Sequence, residues 1–361
     1  MSRIILALLG CMAFSVASAA STHVPALGCA TYSATGKLAA VTIRDGRSLS
    51  LDVGNDSAKA SMTLPFAVTG CRAFFSQASD LLAVGLDVPV QASRDINLLL
   101  LNPNSMEWLT PKPVSIRVAE DSRGPLLGFI GDTHTILMVQ PGEYSPSDDR
   151  TTVFVVNIDP FEHKAKTSAL AVAGKYVLGV SVVPELSADK LWVVEGEDGD
   201  CRLRAYHADG DATHGSAPMT YSDCPAADLL VALPGSKLLE LNRESDTVAV
   251  RHLDARPGSV PSVQVSAGNG DRYWFAGQYA LSPDGNVLAI SAKRVHVSRW
   301  GGTSISNEIV LLDTDTSKVL GRIPFAQVPR EFAIASSPQA YTVSWLKASV
   351  WESRTLPKAG E

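Results

Sequence analysis

An all-β chain is predicted by three features of the sequence. Short apolar runs are separated by clusters of Gly, Pro, Asp, Asn and Ser, no long window shows helical periodicity, and one strand-turn-strand pattern recurs along the whole chain. The clearest copy is Tyr279-Ala-Leu-Ser-Pro-Asp-Gly-Asn-Val-Leu-Ala-Ile-Ser291. Pro283 presets the backbone for the first turn position, Asp284-Gly285 supplies a turn with positive φ, and an apolar run follows at 287–290. Residues 308–324 add a third strand, a polar turn and a fourth strand. Four antiparallel strands repeated around a ring make a β-propeller.

Taken in order, the first unit has the inner strand from Cys29, a turn at Gly36, and strands at 48–53 and 60–66. The second starts at Cys71 and continues at 96–101 and 106–114. The third starts near 126, turns at Gly131-Asp132 and continues at 136–139, 152–158 and 165–172. The fourth has 178–183, 191–194, 202–207 and 216–221, and the fifth has 229–233, 238–241, 248–253 and 260–265. The seventh has 332–336, 341–346 and 350–356. Starts near 29, 71, 126, 177, 228, 279 and 332 are spaced by 42 to 55 residues, which predicts seven four-stranded blades in one domain over 20–361. The last unit lacks a fourth strand, and 22–27 is a spare extended segment. The ring is therefore expected to close by pairing this N-terminal strand onto the last blade, where Pro25 is tolerable on an outer edge.

Residues 1–19 combine Arg3, an apolar run and the small residues Ala17-Ser18-Ala19, the pattern of a secretory signal cut after Ala19. Leu8-Leu9-Gly10-Cys11 also has the look of a lipoprotein cleavage box, although the apolar run continues past Cys11. Loss of Arg3 with the signal leaves 30 Lys+Arg against 37 Asp+Glu, a balance that argues against a nucleic-acid partner. No later segment is long and apolar enough for a transmembrane span. A periplasmic or secreted location is expected. Four cysteines remain, an even number in an exported chain. Of the three connectivities, the repeat alignment selects Cys29 with Cys71, which open equivalent inner strands of neighbouring units, and Cys201 with Cys224, the one beginning a third strand and the other lying in the next connection on the same long-loop face.

The turn Ser282-Pro-Asp-Gly285 and the run Leu311-Leu-Asp-Thr-Asp-Thr-Ser-Lys318 resemble the bacterial seven-bladed propellers of the Tyr-Val-Thr-Asn repeat and lactonase-like superfamily. Tryptophan-aspartate and kelch signatures are missing. The resemblance implies a propeller but no single activity, because that superfamily includes binding scaffolds, lactonases and dehydrogenase subunits.

Three connections, 88–95, 141–150 and 292–307, are expected to be long loops on one face of the ring. The last carries Lys293, Arg294, His296, Arg299 and Trp300, and the preceding blade connection carries Asp271, Arg272, Tyr273 and Trp274. Guanidinium groups beside aromatic faces suit an anionic or sugar-like ligand. Tyr144 and Asp148, with Glu143, Asp149 and Arg150, are expected to face them across the rim. A solvated surface with its tryptophans packed under their own loops is the alternative. Asp228 and Glu331, with Arg72 or Arg330 nearby, are candidate ligands or bases at the channel. The acidic stretch 195–200 lacks the bidentate Glu of a calcium loop, and the scattered histidines have no zinc spacing, so no metal or cofactor is expected. No Gly-x-Ser-x-Gly elbow occurs. The expected function is an exported binding or scaffold propeller engaging an unknown protein or small ligand through its long-loop face. A lactonase-like or metal-assisted hydrolase acting at the channel mouth is the alternative.

Overall fold

The computed structural model describes residues 26–358 apart from 55–58, 77–79, 92, 111, 120–125, 130–135, 146–149, 172–175, 183–189, 198–199, 208–218, 222–228, 234–236, 243–246, 253–262, 265–270, 317 and 328. Among the described residues the strands form seven antiparallel sheets, each made of consecutive strands. The first holds β1 (Leu27–Tyr32), β2 (Leu38–Arg44), β3 (Ser48–Val53) and β4 (Lys59–Thr63). The second holds β5 (Gly70–Phe75), β6 (Leu82–Val90), β7 (Ser93–Asn102), β8 (Glu107–Trp108) and β9 (Val114–Ala119). The third holds β10 (Leu126–Phe129), β11 (Ile136–Ser145), β12 (Arg150–Asp159) and β13 (Lys164–Ala171). The fourth holds β14 (Tyr176–Val182), β15 (Lys190–Glu197), β16 (Asp200–His207) and β17 (Met219–Tyr221), and the fifth β18 (Leu229–Leu233), β19 (Lys237–Asn242), β20 (Thr247–His252) and β21 (Val263–Gln264). The sixth holds β22 (Arg272–Leu281), β23 (Val287–Val297), β24 (Thr303–Asp313) and β25 (Val319–Phe325), and the last holds β26 (Phe332–Ser336), β27 (Ala340–Lys347) and β28 (Val350–Pro357).

Second strands such as β2 and the first half of β23 are buried at nearly every position, without alternation. Such a strand is covered on both faces, so each sheet needs a neighbour on either side. Val41, Leu49 and Leu51 of the first sheet share a core with Leu86, Leu99 and Leu101 of the second. The other face of the second sheet, with Ile96 and Leu98, meets Phe129, Ile136 and Met138 of the third. Val287, Ala289 and Leu311 pack against Ile334 and Val343 of the last sheet. First strands lie beside one another: β1 adjoins both β5 and β26, β26 adjoins β22, and β14 adjoins β10 and β18.

The repeat is written in turn chemistry as well as in apolar runs. Buried Ser33, Ser76 and Ser282 directly follow the first strands of their sheets, and each hydroxyl accepts from a backbone N–H at or one residue before the start of the next strand, at Lys37, Leu81 and Val287 (3.0, 3.1 and 2.9 Å). Gly36 and Gly285 sit in these turns at φ 78° and 71°, a region open to glycine without a Cβ penalty. Between third and fourth strands, the carboxylate or amide oxygen of Asn102, Asp159 and Asp313 accepts from the N–H groups two and three residues ahead. These are Asx turns at one place in three sheets.

The first and last sheets meet directly. Tyr32 Oη and Ser344 Oγ are 2.7 Å apart, and Trp351 Nε1 donates to the Val41 carbonyl at 3.3 Å. The inner strands β1 and β5 are further joined by the Cys29–Cys71 disulfide, with Cα atoms 5.7 Å apart. Closing a loop of 42 residues in the unfolded chain contributes about 4 kcal/mol on the chain-entropy model.

Four expectations are revised. Leu27, assigned from sequence to a closing strand, instead begins β1 opposite Ile43, and Ala26 before it is not in a strand; residues 22–25, like the signal region 1–19, lie outside the described residues. The outer strand expected at 106–114 is broken: β8 pairs with Leu101 and Asn102, and β9 resumes against residues 93–98. Proline supplies no ladder N–H, and the break contains Pro111 and Pro113. The three long loops are hairpin arms: β6 and β7 extend to Val90 and Ser93, β11 and β12 to Ser145 and Arg150, and β23 and β24 to Val297 and Thr303. Finally, Arg272 to Trp274 belong to β22 and pair with Val295, Arg294 and Lys293 rather than forming a connection.

The first-to-last contact is tight enough to test. A Cβ on Gly28 lies 2.6 Å from Leu346 Cδ2 and 2.8 Å from the Val41 carbonyl oxygen, whereas one on Gly128 meets nothing within 4 Å. Gly28→Ala is expected to lower unfolding free energy by about 1–3 kcal/mol and Gly128→Ala by less than about 0.5 kcal/mol, as read by denaturant titration.

Candidate functional site

Past the blade, β22, β23 and β24 continue together as a three-stranded tongue. Its register is unbroken between β23 and β24 from Val287↔Asp313 to Val297↔Thr303, and a bulge between Phe275 and Tyr279 separates the tongue part of β22 from its blade part. Directly opposed residues share a face, so the period of two sorts the side chains. One face holds Arg272, Trp274, Lys293, Val295, Val297, Thr303, Ile305 and Asn307. The other holds Tyr273, Ala292, Arg294, His296, Ser304, Ser306 and Glu308, joined by the neighbouring Asp271.

The second face roots the tongue. Asp271, only 4% exposed at its side chain, receives Arg294 Nε and Nη2 at 2.7 Å on one oxygen and lies 2.5 Å from His296 Nδ1 on the other. An ionised carboxylate only accepts, so Nδ1 carries the proton. The His296 hydrogen bond first, and Arg294 with it, hold the Asp271 carboxyl below the usual carboxylate range. Deeper in, Arg322 Nε donates to the hydroxyl of fully buried Tyr273 at 2.7 Å. Burial and then the Glu308 carboxylate push the Tyr273 hydroxyl up to about 12. Three strands are thereby fastened through one buried phenol. Glu308 Oε1 meets no donor among the described residues.

The first face is open. Trp274 is 56% exposed, Ile305 57%, Val297 60% and Trp300, at the tip, 97%. Arg272, Lys293 and Arg299 are exposed around them. The tip closes on itself: Ser298 N–H donates to the Gly302 carbonyl at 2.8 Å, Gly301 N–H to the Ser298 carbonyl at 3.0 Å, and Gly302 N–H to Ser298 Oγ at 2.9 Å. Gly301 makes this turn at φ 78°.

Of the residues selected from sequence, Arg272 and Trp274 therefore share a face, with Arg299 and Trp300 at the tip beyond it. His296 departs from this grouping; it points to the opposite face and is engaged by Asp271. Tyr144 lies on β11 opposite Thr151, and Asp148 falls outside the described residues. Cys201 is the second residue of β16, opposite Tyr221, and Cys224 falls outside the described residues. Val297 and Ile305 were missed as surface residues, although both are β-branched and alternate with polar neighbours, the signal of a strand.

A second group stands at the inner strands. Arg72 of β5 reaches Asp87 at 3.5 Å, and Gly70 leaves room for that carboxylate, since a Cβ there lies 2.7 Å from Asp87 Oδ2. Burial lowers the Arg72 guanidinium from its usual range while Asp87 and Glu331 oppose the shift and Arg94 adds to it. Glu331 precedes β26, open to water yet walled by protein, and this desolvation pushes its carboxyl up to about 7 against the pull of Arg72. Asp228 lies outside the described residues, and Arg330 is exposed. Among the described residues no group of three or more His, Cys, Asp and Glu is placed to hold a metal, and no helix is long and apolar enough to cross a membrane.

No protein-family model matches the chain, and no curated protein matches it. Among solved structures it is similar to hydrazine synthase of Kuenenia stuttgartiensis, with a TM-score of 0.56 and 11% identity over 96% of this chain and 99% of that one. It is also similar to a chain of the mitotic checkpoint complex (TM-score 0.51, 13% identity, 100% and 99% covered). A catalytically inactive virginiamycin B lyase from Staphylococcus aureus with quinupristin gives 0.51 and 13%, covering 93% and 97%. At such identities the likeness is one of fold: the chain is a β-propeller.

A raised carboxyl pKa penalises the charged form in the folded state. Its stabilising contribution is complete below about 4.5 and is lost as pH rises through about 7. Glu331→Gln is thus expected to raise the melting temperature relative to the parent above that pH, with the difference closing in acid. A constant difference across the range contradicts a desolvated Glu331.

Proposed function

We propose that this protein is a binding propeller, exported by its N-terminal signal and engaging a partner through the tongue of the sixth sheet. One observation carries this reading: four of the large exposed apolar side chains, Trp274, Val297, Trp300 and Ile305, gather on a single rooted projection. Contiguous exposed apolar surface framed by polar groups marks interaction sites more often than it occurs idly. Tryptophan and arginine are also the residues that dominate binding energy where partners meet. Placement with the Tyr-Val-Thr-Asn repeat and lactonase-like propellers rests on Ser282 to Gly285 and the 311–318 run. A second disulfide, Cys201 with Cys224, belongs to the same reading of an exported chain.

The triple variant Trp274→Ala, Arg299→Ala, Trp300→Ala removes only exposed groups and is expected to keep the parent's melting temperature. Affinity capture with the intact chain should lose its specific partner in this variant, by about 2 kcal/mol or more in affinity. Equal capture by parent and variant moves the binding face elsewhere.

Glu331 favours a second reading, chemistry at the channel mouth, because a carboxyl brought near neutrality beside Arg72 is suited to general acid or base work. Hydrolysis of a lactone panel that disappears in Glu331→Gln supports it, and an inert parent protein removes it.

A further inference from the structure

We propose that the tongue docks on an anionic phospholipid surface, with Trp300 and its neighbours seated in the headgroup zone. The inference rests on the tongue being the binding face and names what it binds. Three observations converge on lipid rather than on a second protein.

The first is shape. Trp300, 97% exposed, sits at the convex end of a hairpin between Arg299 and Gly301-Gly302, with no wall of its own to complete a pocket. Binding energy between proteins concentrates where an aromatic is fully enclosed by a surrounding ring of contacts. A protruding indole with nothing around it suits a medium that deforms to meet it, and tryptophan has an intrinsic preference for the boundary between hydrocarbon and water.

Charge is the second. Arg272, Lys293 and Arg299 flank the apolar residues, and among the described residues of the tongue that face carries no carboxylate, because Asp271 and Glu308 belong to the opposite one. Among the described residues none of the three cations is ion-paired, although acidic residues outnumber basic ones, 37 to 31, in the chain as a whole. A cationic, carboxylate-free patch on an acidic protein orients that end alone toward an anionic surface.

The third is backbone accounting. Ser298 and Gly302 satisfy one another across the turn, so the tip can leave bulk water without orphaning these groups. The outer edge of β24 at 303–306, by contrast, precedes its first partner on β25, since pairing starts at Asn307. Unpaired edge groups exclude the strand from hydrocarbon, which sets the depth: tip residues enter the headgroup zone and the edge remains hydrated.

The test is co-sedimentation of the intact chain with vesicles of phosphatidylcholine alone or with phosphatidylglycerol added. Sedimentation only with the anionic vesicles is expected, weakened by salt. Arg299→Gln and Lys293→Gln should each reduce partitioning about fivefold, and Trp300→Ala about tenfold or more. Trp300→Phe should restore part of that loss. All three positions are exposed, and melting temperatures check that each of the four variants folds. No sedimentation with either vesicle overturns the proposal, as does sedimentation that Trp300→Ala leaves unchanged. If vesicles fail but affinity capture still depends on the tongue, the binding face stands and its partner is a protein. If both fail, the binding reading falls as well.

Discussion

Two-sided burial of each sheet is the constraint on which the rest of the molecule depends. A strand such as β23, buried at every position from Val287 to Ala292, cannot exist at the surface of an isolated sheet. Each sheet must be covered by the one before and the one after, and a finite stack of twisted sheets meets that demand at both ends only by closing on itself. The contacts of Tyr32 with Ser344 and of Trp351 with Val41 are this closure, made by packing faces. The Cys29–Cys71 bridge then ties adjacent inner strands within the closed ring.

The tongue follows from the same strands by a change of composition. At Ala292 the apolar run of β23 ends and Lys293-Arg294-Val295-His296-Val297 begins, while the hydrogen-bond ladder continues. Burial becomes one-sided: Tyr273, Asp271 and Glu308 face inward, and Trp274, Val297 and Ile305 face solvent. On the inward face Asp271 holds Arg294 and His296, and Tyr273 accepts from Arg322, which anchors the three strands while Trp274, Val297 and Ile305 stay exposed. Rigid presentation matters for binding because little conformational entropy is then lost on contact.

Most of the fold was legible because its signals are local. Most strand positions within the blades, the turns at Gly36 and Ser282 to Gly285, and the pairing of Cys29 with Cys71 follow from aligning units on one pattern. The tongue was misread as a loop for a physical reason: charged residues at 293, 294 and 296 interrupt the apolar run, and hydropathy alone does not distinguish a solvated strand from a connection. Alternation of Val295 and Val297 with Arg294 and His296 carried the strand signal in sequence. What no local pattern carried is the grip of Asp271 on His296, 25 residues away. It depends on the register of β22 against β23, and that register shifts at a bulge near Gly277. The same period of two separates His296 from Arg272 and Trp274, which a grouping by loop had joined.

The central claim is that the tongue is a rooted extension of the sixth sheet rather than a loop at its edge. Native-state hydrogen exchange addresses it through the amides of 292–297 in the free protein. Protection of these amides close to that of 288–291 in the blade, lost when Asp271→Asn releases Arg294 and His296, is the expected result. Exchange at unprotected loop rates in the parent protein contradicts it.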